Sequence, residues 1–167
     1  MSLYSESPSA ALLPSGFADL LPGEAEAEAR GIASVMEAFS RHGYQRVRPP
    51  LLEFESSLLG GSGESLAPQT FRLMDPNSHR MMALRPDMTP QVSRLASTRL
   101  RNAPRPLRLS YAGQCLRVRG TQLAPDRQVA QAGIELVGPD LPEADAEVVV
   151  VGAAALAAGM IQHRPVF

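Results

Sequence analysis

Two stretches of the chain concentrate side chains able to hold a charged ligand. In the stretch Cys115 to Gly138, Arg117 and Arg119 sit two residues apart in an extended segment, which turns both toward one face. Gln131, Gly133 and Glu135 do the same in a second extended segment, while Ala130, Ala132, Ile134 and Leu136 form an apolar opposite face. In the other stretch, Ala83 to Gln91, Asp87 and Thr89 fall where a strand gives way to a helix, so their side chains are directional. Asp87, Thr89, Gln131 and Glu135 are acceptors suited to an ammonium or an imidazole N–H. Arg117 offers a planar fork for a carboxylate or a phosphate, and Gly133 would let a ligand approach the backbone. The spacing allows a structural reading as well, with Asp87 helping Thr89 cap the helix and Arg117 pairing with Glu135.

Charge sharpens one side of this picture. The chain of 167 residues has a net charge of −1, so no global field draws it to nucleic acid or membrane. Between Met88 and Ile134, however, there are eight arginines and one acid, Asp126. That imbalance suits an anionic ligand or partner, although an Arg-rich solvated surface would look the same. All 16 basic residues are arginine, which excludes a phosphate-loop lysine, a Schiff-base lysine or a lysine general base within this chain. A single cysteine excludes an internal disulfide, and its position inside a strand reads as a small buried hydrophobe. His42, His79 and His163 are scattered without ligand spacing, so no metal site is expected.

The elements that must position these residues are legible from pattern. "PGEAEAEARGIASVMEAFSRHGY" reads as a helix, acidic at its start and basic at its end, with Gly43 as C-cap and Ile32, Val35, Met36 and Phe39 as its apolar stripe. An extended segment ends at Pro49-Pro50, which demands a sheet edge or a strand end. "LLGGSGESLAPQ" reads as a flexible covering loop. A hairpin follows, turned at Pro76-Asn77-Ser78, and then Thr89 with Pro90 starts a helix as N-cap and first residue. Two longer strands carry the polar face, and Pro142-Glu143 opens a last helix. Its run "VVVVGAAALAAGMI" is too short to span a bilayer and is expected to be buried. Adjacent strands with short connections predict an α+β fold, an antiparallel β-sheet flanked by helices. Residues 1–13 are polar, Pro-punctuated and expected to be mobile, without a targeting pattern, in a soluble cytoplasmic protein.

The motifs "GFADLLPGEA", "GYQRVRPPLLE", "LRPDMTPQVSRLA" and "LSYAGQCLRVRG…DRQVAQAGIELVG", in this order, resemble the class II aminoacyl-tRNA synthetase core in its histidyl branch. Within that branch they are most similar to the regulatory subunits of ATP phosphoribosyltransferase, paralogues that no longer charge tRNA. The resemblance makes residues 14–167 the N-terminal portion of a class II core, truncated at its C-terminal end. The helix ending at His42 and the strand ending at Pro50 resemble the dimer-forming motif 1, so Ile32, Val35, Met36, Phe39 and Pro50 become candidate dimer-interface residues. Arg117 matches the motif 2 arginine that grips the α-phosphate of ATP. The glutamate expected two residues later is replaced by Arg119. Gln131 and Glu135 match residues that contact histidine in the synthetases. The element Leu84-Arg85-Pro86-Asp87-Met88-Thr89 carries a shorter acid and a bulky Met88 where the synthetases have Glu and Gly.

By resemblance, therefore, the groups that hold an amino acid persist while those that handle ATP are altered. This implies a non-catalytic regulatory subunit, without cofactor or metal, in a hetero-oligomer with the short-form ATP phosphoribosyltransferase catalytic subunit. Self-association as a dimer and L-histidine as allosteric effector are implied as well, with Asp87, Thr89, Arg117, Gln131 and Glu135 as the effector site. Neither nucleic acid nor membrane is expected as a partner. The alternatives are an active histidyl-tRNA synthetase core, which Arg119 and Met88 oppose, and a dimerisation scaffold with a vestigial pocket.

Overall fold

In the computed structural model, which describes residues 13–161, both expected hairpins form, but they lie in separate three-stranded sheets. Helix α1 (Pro22–Arg41) starts with a proline that lacks the N–H an initial turn leaves unbonded. Glu24 reaches back to accept from the Leu21 N–H at 3.3 Å. Gly43, at φ +81, turns the chain out of the helix into β1 (Gln45–Arg46). In the first sheet β1 runs parallel to β5 (Leu107–Leu116), which pairs antiparallel with β6 (Gln128–Val137) along its whole length. The parallel β1–β5 pair departs from the expected all-antiparallel arrangement. In the second sheet β4 (Met81–Leu84) lies between β2 (Leu52–Phe54) and β3 (Arg72–Met74), all antiparallel.

Helices cover both faces of the first sheet. Helix α3 (Thr89–Ser97) packs Met88, Val92 and Ala96 against Leu107, Leu109, Tyr111 and Cys115. On the opposite face α1 and α4 (Pro142–Ile161) bury Met36, Phe39, Tyr44, Val151 and Ala155, with Ile32, Val35, Ala112 and Ile134 against them. The face bearing the polar side chains is thus itself part of a core.

Three expectations need correction. "LLGGSGESLAPQ" is no open loop: it holds the end of the single turn α2 (Glu55–Leu58) and a 3₁₀ stretch over Gly61–Gln69, anchored by buried Leu58. Helix α4 is not buried all round, since Val149, Val150 and Leu156 are each more than 60% exposed. A helix apolar on every side carries no stripe to say which side faces in. The α1 stripe turns inward as well: Met36 and Phe39 are buried within the chain, and Ile32 and Val35 pack on the same cluster. A dimer contact can reach only the exposed margin of that stripe, together with exposed Pro50. Residues 1–12 and His163 lie outside the described residues. No helix among the described residues is long and apolar enough to cross a membrane.

The two sheets are tied by one buried guanidinium. Arg85 is 6% exposed and meets no carboxylate among its bonded partners. Its Nε donates to the Gln114 carbonyl at 2.9 Å, and its Nη1 donates to the Pro49 and Pro50 carbonyls at 3.0 and 3.4 Å. Gln91 accepts a longer bond from Nη1 at 3.5 Å and donates to Glu53 at 2.9 Å, and Glu53 is ion-paired with Arg94. The prolines, which cannot donate to a ladder, are held through their carbonyls instead. Arg85→Ala is expected to destabilise the chain by roughly 3–5 kcal/mol, because it strands buried acceptors. Arg85→Lys should recover only part of that, lacking the planar fork. Urea unfolding provides the measurement, and an Arg85→Ala midpoint equal to the parent's would refute the assignment.

Candidate functional site

Where β4 ends and α3 begins, Pro86 is fully buried and Asp87 emerges beside β6. Asp87 Oδ1 accepts from the Thr89 N–H at 2.7 Å and Oδ2 accepts from Gln131 Nε2 at 2.9 Å. Asp87 thus bonds the N–H of the first helical residue with one oxygen, but it does not do so by helping Thr89 act as the cap, because Met88 holds the N-cap position. Thr89 is itself the first residue of α3, and its hydroxyl meets the Tyr111 hydroxyl at 3.0 Å instead of capping. Tyr111 in turn donates to Glu135 Oε1 at 3.3 Å. Gln131 Oε1 accepts both the Met88 N–H at 2.9 Å and the Cys115 thiol at 3.1 Å. Four of the five expected effector residues, Asp87, Thr89, Gln131 and Glu135, thus join one hydrogen-bonded chain.

Arg117 does not join it. Strand β5 ends at Leu116, so Arg117 and Arg119 lie in the following loop. The Arg117 N–H bonds the Arg127 carbonyl at 2.7 Å, whereas Glu135 lies opposite Leu109. Eight positions of strand separate the two sites, roughly 26 Å. The structural pairing of Arg117 with Glu135 is therefore not made, and an amino acid seated at Glu135 cannot also reach the Arg117 backbone position. Gln131, opposite Gly113, is nearer, about four strand positions or roughly 13 Å from Arg117. Arg117 thus lies on the Gln131 side of the cluster, away from Glu135. Its guanidinium makes no hydrogen bond or ion pair among the described residues.

Gly133 also has a different role from the one expected. A β-carbon there would sit 2.5 Å from the Tyr111 hydroxyl and 2.6 Å from its Cζ. The missing side chain makes room for the tyrosine ring, not for a ligand. Tyr111 is the residue that the sequence reading missed. Its alternation with Leu109 and Gly113 puts it on the right face, but only the antiparallel register sets it directly across from Gly133. Met88 likewise turns inward, fully buried, so its bulk fills the core beneath the site.

The electrostatics follow from burial. The Tyr111 hydroxyl is pushed up to about 12, chiefly by burial, and stays a neutral donor. Burial also pushes the Cys115 thiol up to about 11, consistent with an inert packing residue. The Glu135 carboxyl is held above its ordinary value by burial, with the Asp87 charge adding to the effect.

The loop after β5 is fastened by Arg127. Its Nη1 donates to the Ser15 carbonyl at 3.1 Å and its Nε to the Arg117 carbonyl at 3.3 Å. Its guanidinium carbon lies 4.9 Å from the Phe17 ring centre and 5.1 Å from that of Phe71. Behind this latch, on the other face of the sheet, is a cavity of about 330 Å³ lined by Gly16, Glu28, Gln114, Asp126 and Gln128 among others.

Helices on both faces of a sheet whose β5–β6 pair carries an amide and an acid, with an arginine in the loop just after β5, form a class II synthetase-like core. The family model described as histidyl-tRNA synthetase matches residues 16–166, and the chain belongs to that family. An ATP phosphoribosyltransferase regulatory subunit from Gluconobacter oxydans is 81% identical over 157 residues, covering 94% of this chain and 41% of the relative. Its namesake from Rhodospirillum centenum is 63% identical over 152 residues, covering 91% of this chain and 39% of the relative. Among solved structures, an ATP phosphoribosyltransferase regulatory subunit/histidyl-tRNA synthetase from Bacillus halodurans aligns with TM-score 0.76 at 31% identity, over 88% of this chain and 37% of that one. An apo histidyl-tRNA synthetase from S. aureus aligns with TM-score 0.68 at 26% identity, over 86% and 33% respectively. The chain spans about two-fifths of the length of the curated relatives it matches.

Glu135 yields a stability prediction with a definite sign. Its folded-state value lies above 4.5, so between the two values the native state holds more proton than the unfolded chain. Stability therefore falls as pH rises through that window, and the cost is fully present above it. Glu135→Gln should raise the thermal midpoint at neutral pH, and the gain should vanish as pH falls below 4.5. Parallel melting curves across this range are the check; a gain that persists in acid would point to some cause other than the charge.

Proposed function

We propose that this chain is the synthetase-like part of a non-catalytic regulatory subunit of ATP phosphoribosyltransferase, acting in the first step of L-histidine biosynthesis. The observation that carries the reading is the 81% identity, over 94% of the chain, to a relative of that name. In this reading the Asp87–Thr89–Gln131–Glu135 cluster is an inherited amino-acid pocket reused to sense L-histidine. The half-buried Glu135 carboxylate suits an ammonium or imidazole N–H group, since a cationic partner restores an ionisation that burial opposes. The partners are the short-form catalytic subunit and a second copy of the chain, in the cytoplasm. Feedback inhibition requires histidine to bind the inactive assembly better than the active one, since equal affinity shifts nothing.

The same fold could serve an active histidyl-tRNA synthetase, and the similarity to the S. aureus enzyme favours that second reading. Arg119 opposes it, standing where the synthetase motif 2 carries the glutamate used in adenine binding. ATP–pyrophosphate exchange by the full-length protein separates the two: the regulatory reading expects none, and histidine-dependent exchange would overturn it.

The pocket itself is tested in the reconstituted complex by measuring phosphoribosyltransferase activity against histidine concentration. Glu135→Gln removes one charge at nearly constant volume and should shift the inhibition curve to roughly 10- to 150-fold higher histidine, the range of one charge-assisted hydrogen bond. An unmoved curve would place the effector elsewhere, at the contact with the catalytic subunit.

A further inference from the structure

Helix α4 offers the core only one of its two apolar faces. Val151 and Ala155 are buried in the cluster shared with α1. On the opposite side of the helix, Val149 is 70% and Leu156 66% exposed, and Ala146, Ala153 and Ala157 are exposed with them. No charged residue interrupts the helix from Val148 to Ile161. A continuous apolar face of this kind marks a contact surface, unlike apolar residues scattered singly. Ala146, Val149, Ala153 and Leu156 follow one another at intervals of three, four and three residues, the spacing of a seam between two helices. The seam therefore fits another helix.

We propose that this seam is a self-association surface, on which α4 pairs antiparallel with α4 of a second copy of the chain, about a two-fold axis at Val151. Small and large residues alternate along the seam. Reversing the helix about Val151 sets Ala146 against Leu156 of the second copy and Val149 against its Ala153. Every large side chain then meets a small one, a fit that a partner of unrelated sequence has no reason to supply. Charge selects the same arrangement. Glu143 and Asp145 fall opposite Gly159 and Ala157 of the second copy, so no acid faces an acid. A parallel pairing would set each acid beside its own copy, a repulsive contact. The seam is separate from the exposed margin of α1 and from Pro50, and, as a two-fold contact, it uses the same patch on both chains. Area sets its strength. One helix pair touching over about three turns buries less than the roughly 1,200 Å² of a stable interface, so the contact is weak by itself and reversible.

The test is site-directed cross-linking of the full-length protein with a short bis-maleimide. The parent, whose Cys115 is buried, gives the background. Ala146→Cys and Leu156→Cys chains, mixed in equal amounts, should cross-link to each other well above either variant alone, because the two positions lie roughly 15 Å apart along one helix. Ala153→Glu alters an exposed position at the middle of the seam, so the fold should survive. It should weaken the reversible step of self-association about tenfold or more in sedimentation equilibrium, since pairing would bury an unpartnered charge. Stronger cross-linking within each variant than between them means a parallel pairing and overturns the proposal. Cysteines that a monofunctional maleimide cannot reach in dilute protein overturn it too, because the rest of the polypeptide then covers the seam. Reaction blocked only when the catalytic subunit is added assigns the seam to that subunit instead. Free reaction with no cross-link, or self-association unchanged in Ala153→Glu, leaves the seam without a second copy and sinks the idea.

Discussion

The arrangement of the whole site depends on a guanidinium that has no acid to pair with. Arg85 is buried against the carbonyls of Gln114, Pro49 and Pro50, so one side chain holds strand β5, the proline bend and its own strand β4 at fixed distances. Desolvating a charge in this way is costly unless its donors are bonded, and three carbonyl dipoles from two separate segments provide that. Two residues later the chain must deliver Asp87 to the site. Pro86 restricts the backbone in between, so an anchored Arg85 becomes a placed Asp87. The Gln91–Glu53–Arg94 cluster extends the same anchoring into α3.

A second consequence of the geometry is that the polar cluster satisfies itself. Gln131 accepts from Met88 and Cys115 and donates to Asp87, and Tyr111 lies between Thr89 and Glu135. A ligand entering here exchanges existing hydrogen bonds for its own instead of filling empty valences. Net affinity is then a small difference, while a mismatched ligand breaks bonds that it cannot replace.

Much of this is legible in the amino-acid sequence itself. Alternation in Ala130 to Leu136 identified β6 and its two faces, and the acidic start and glycine end of α1 marked its limits to within a residue or two. These signals are local, and local periodicity survives in one dimension. What failed was whatever depends on register or on a distant partner. Arg117 reads as a strand neighbour of Glu135 until the pairing of Leu109 with Glu135 puts them at opposite ends of the ladder. Gly133 reads as an opening for a ligand until Tyr111 is found to fill it. The α1 stripe reads as apolar, but its occupant is α4 of the same chain, whose run from Val148 onward is apolar on every side and carries no directional cue.

The Arg127 latch has a meaning for how the molecule comes together in time. Its bond to the Ser15 carbonyl joins residues 112 apart in sequence, between the first described segment and the far end of the long hairpin. Closing so wide a loop is entropically expensive, so this contact belongs among the late events of folding, after β5 and β6 have zipped. By the same reasoning it is among the first to be lost when the native state opens locally. The segment carrying Arg117 and Arg119 then becomes a semi-independent unit of low local stability, hinged on a hairpin that stays formed. Amide exchange would be fast in that unit and slow in the strands beneath it, so Arg117 and Arg119 would sit on a segment that opens before the sheet does.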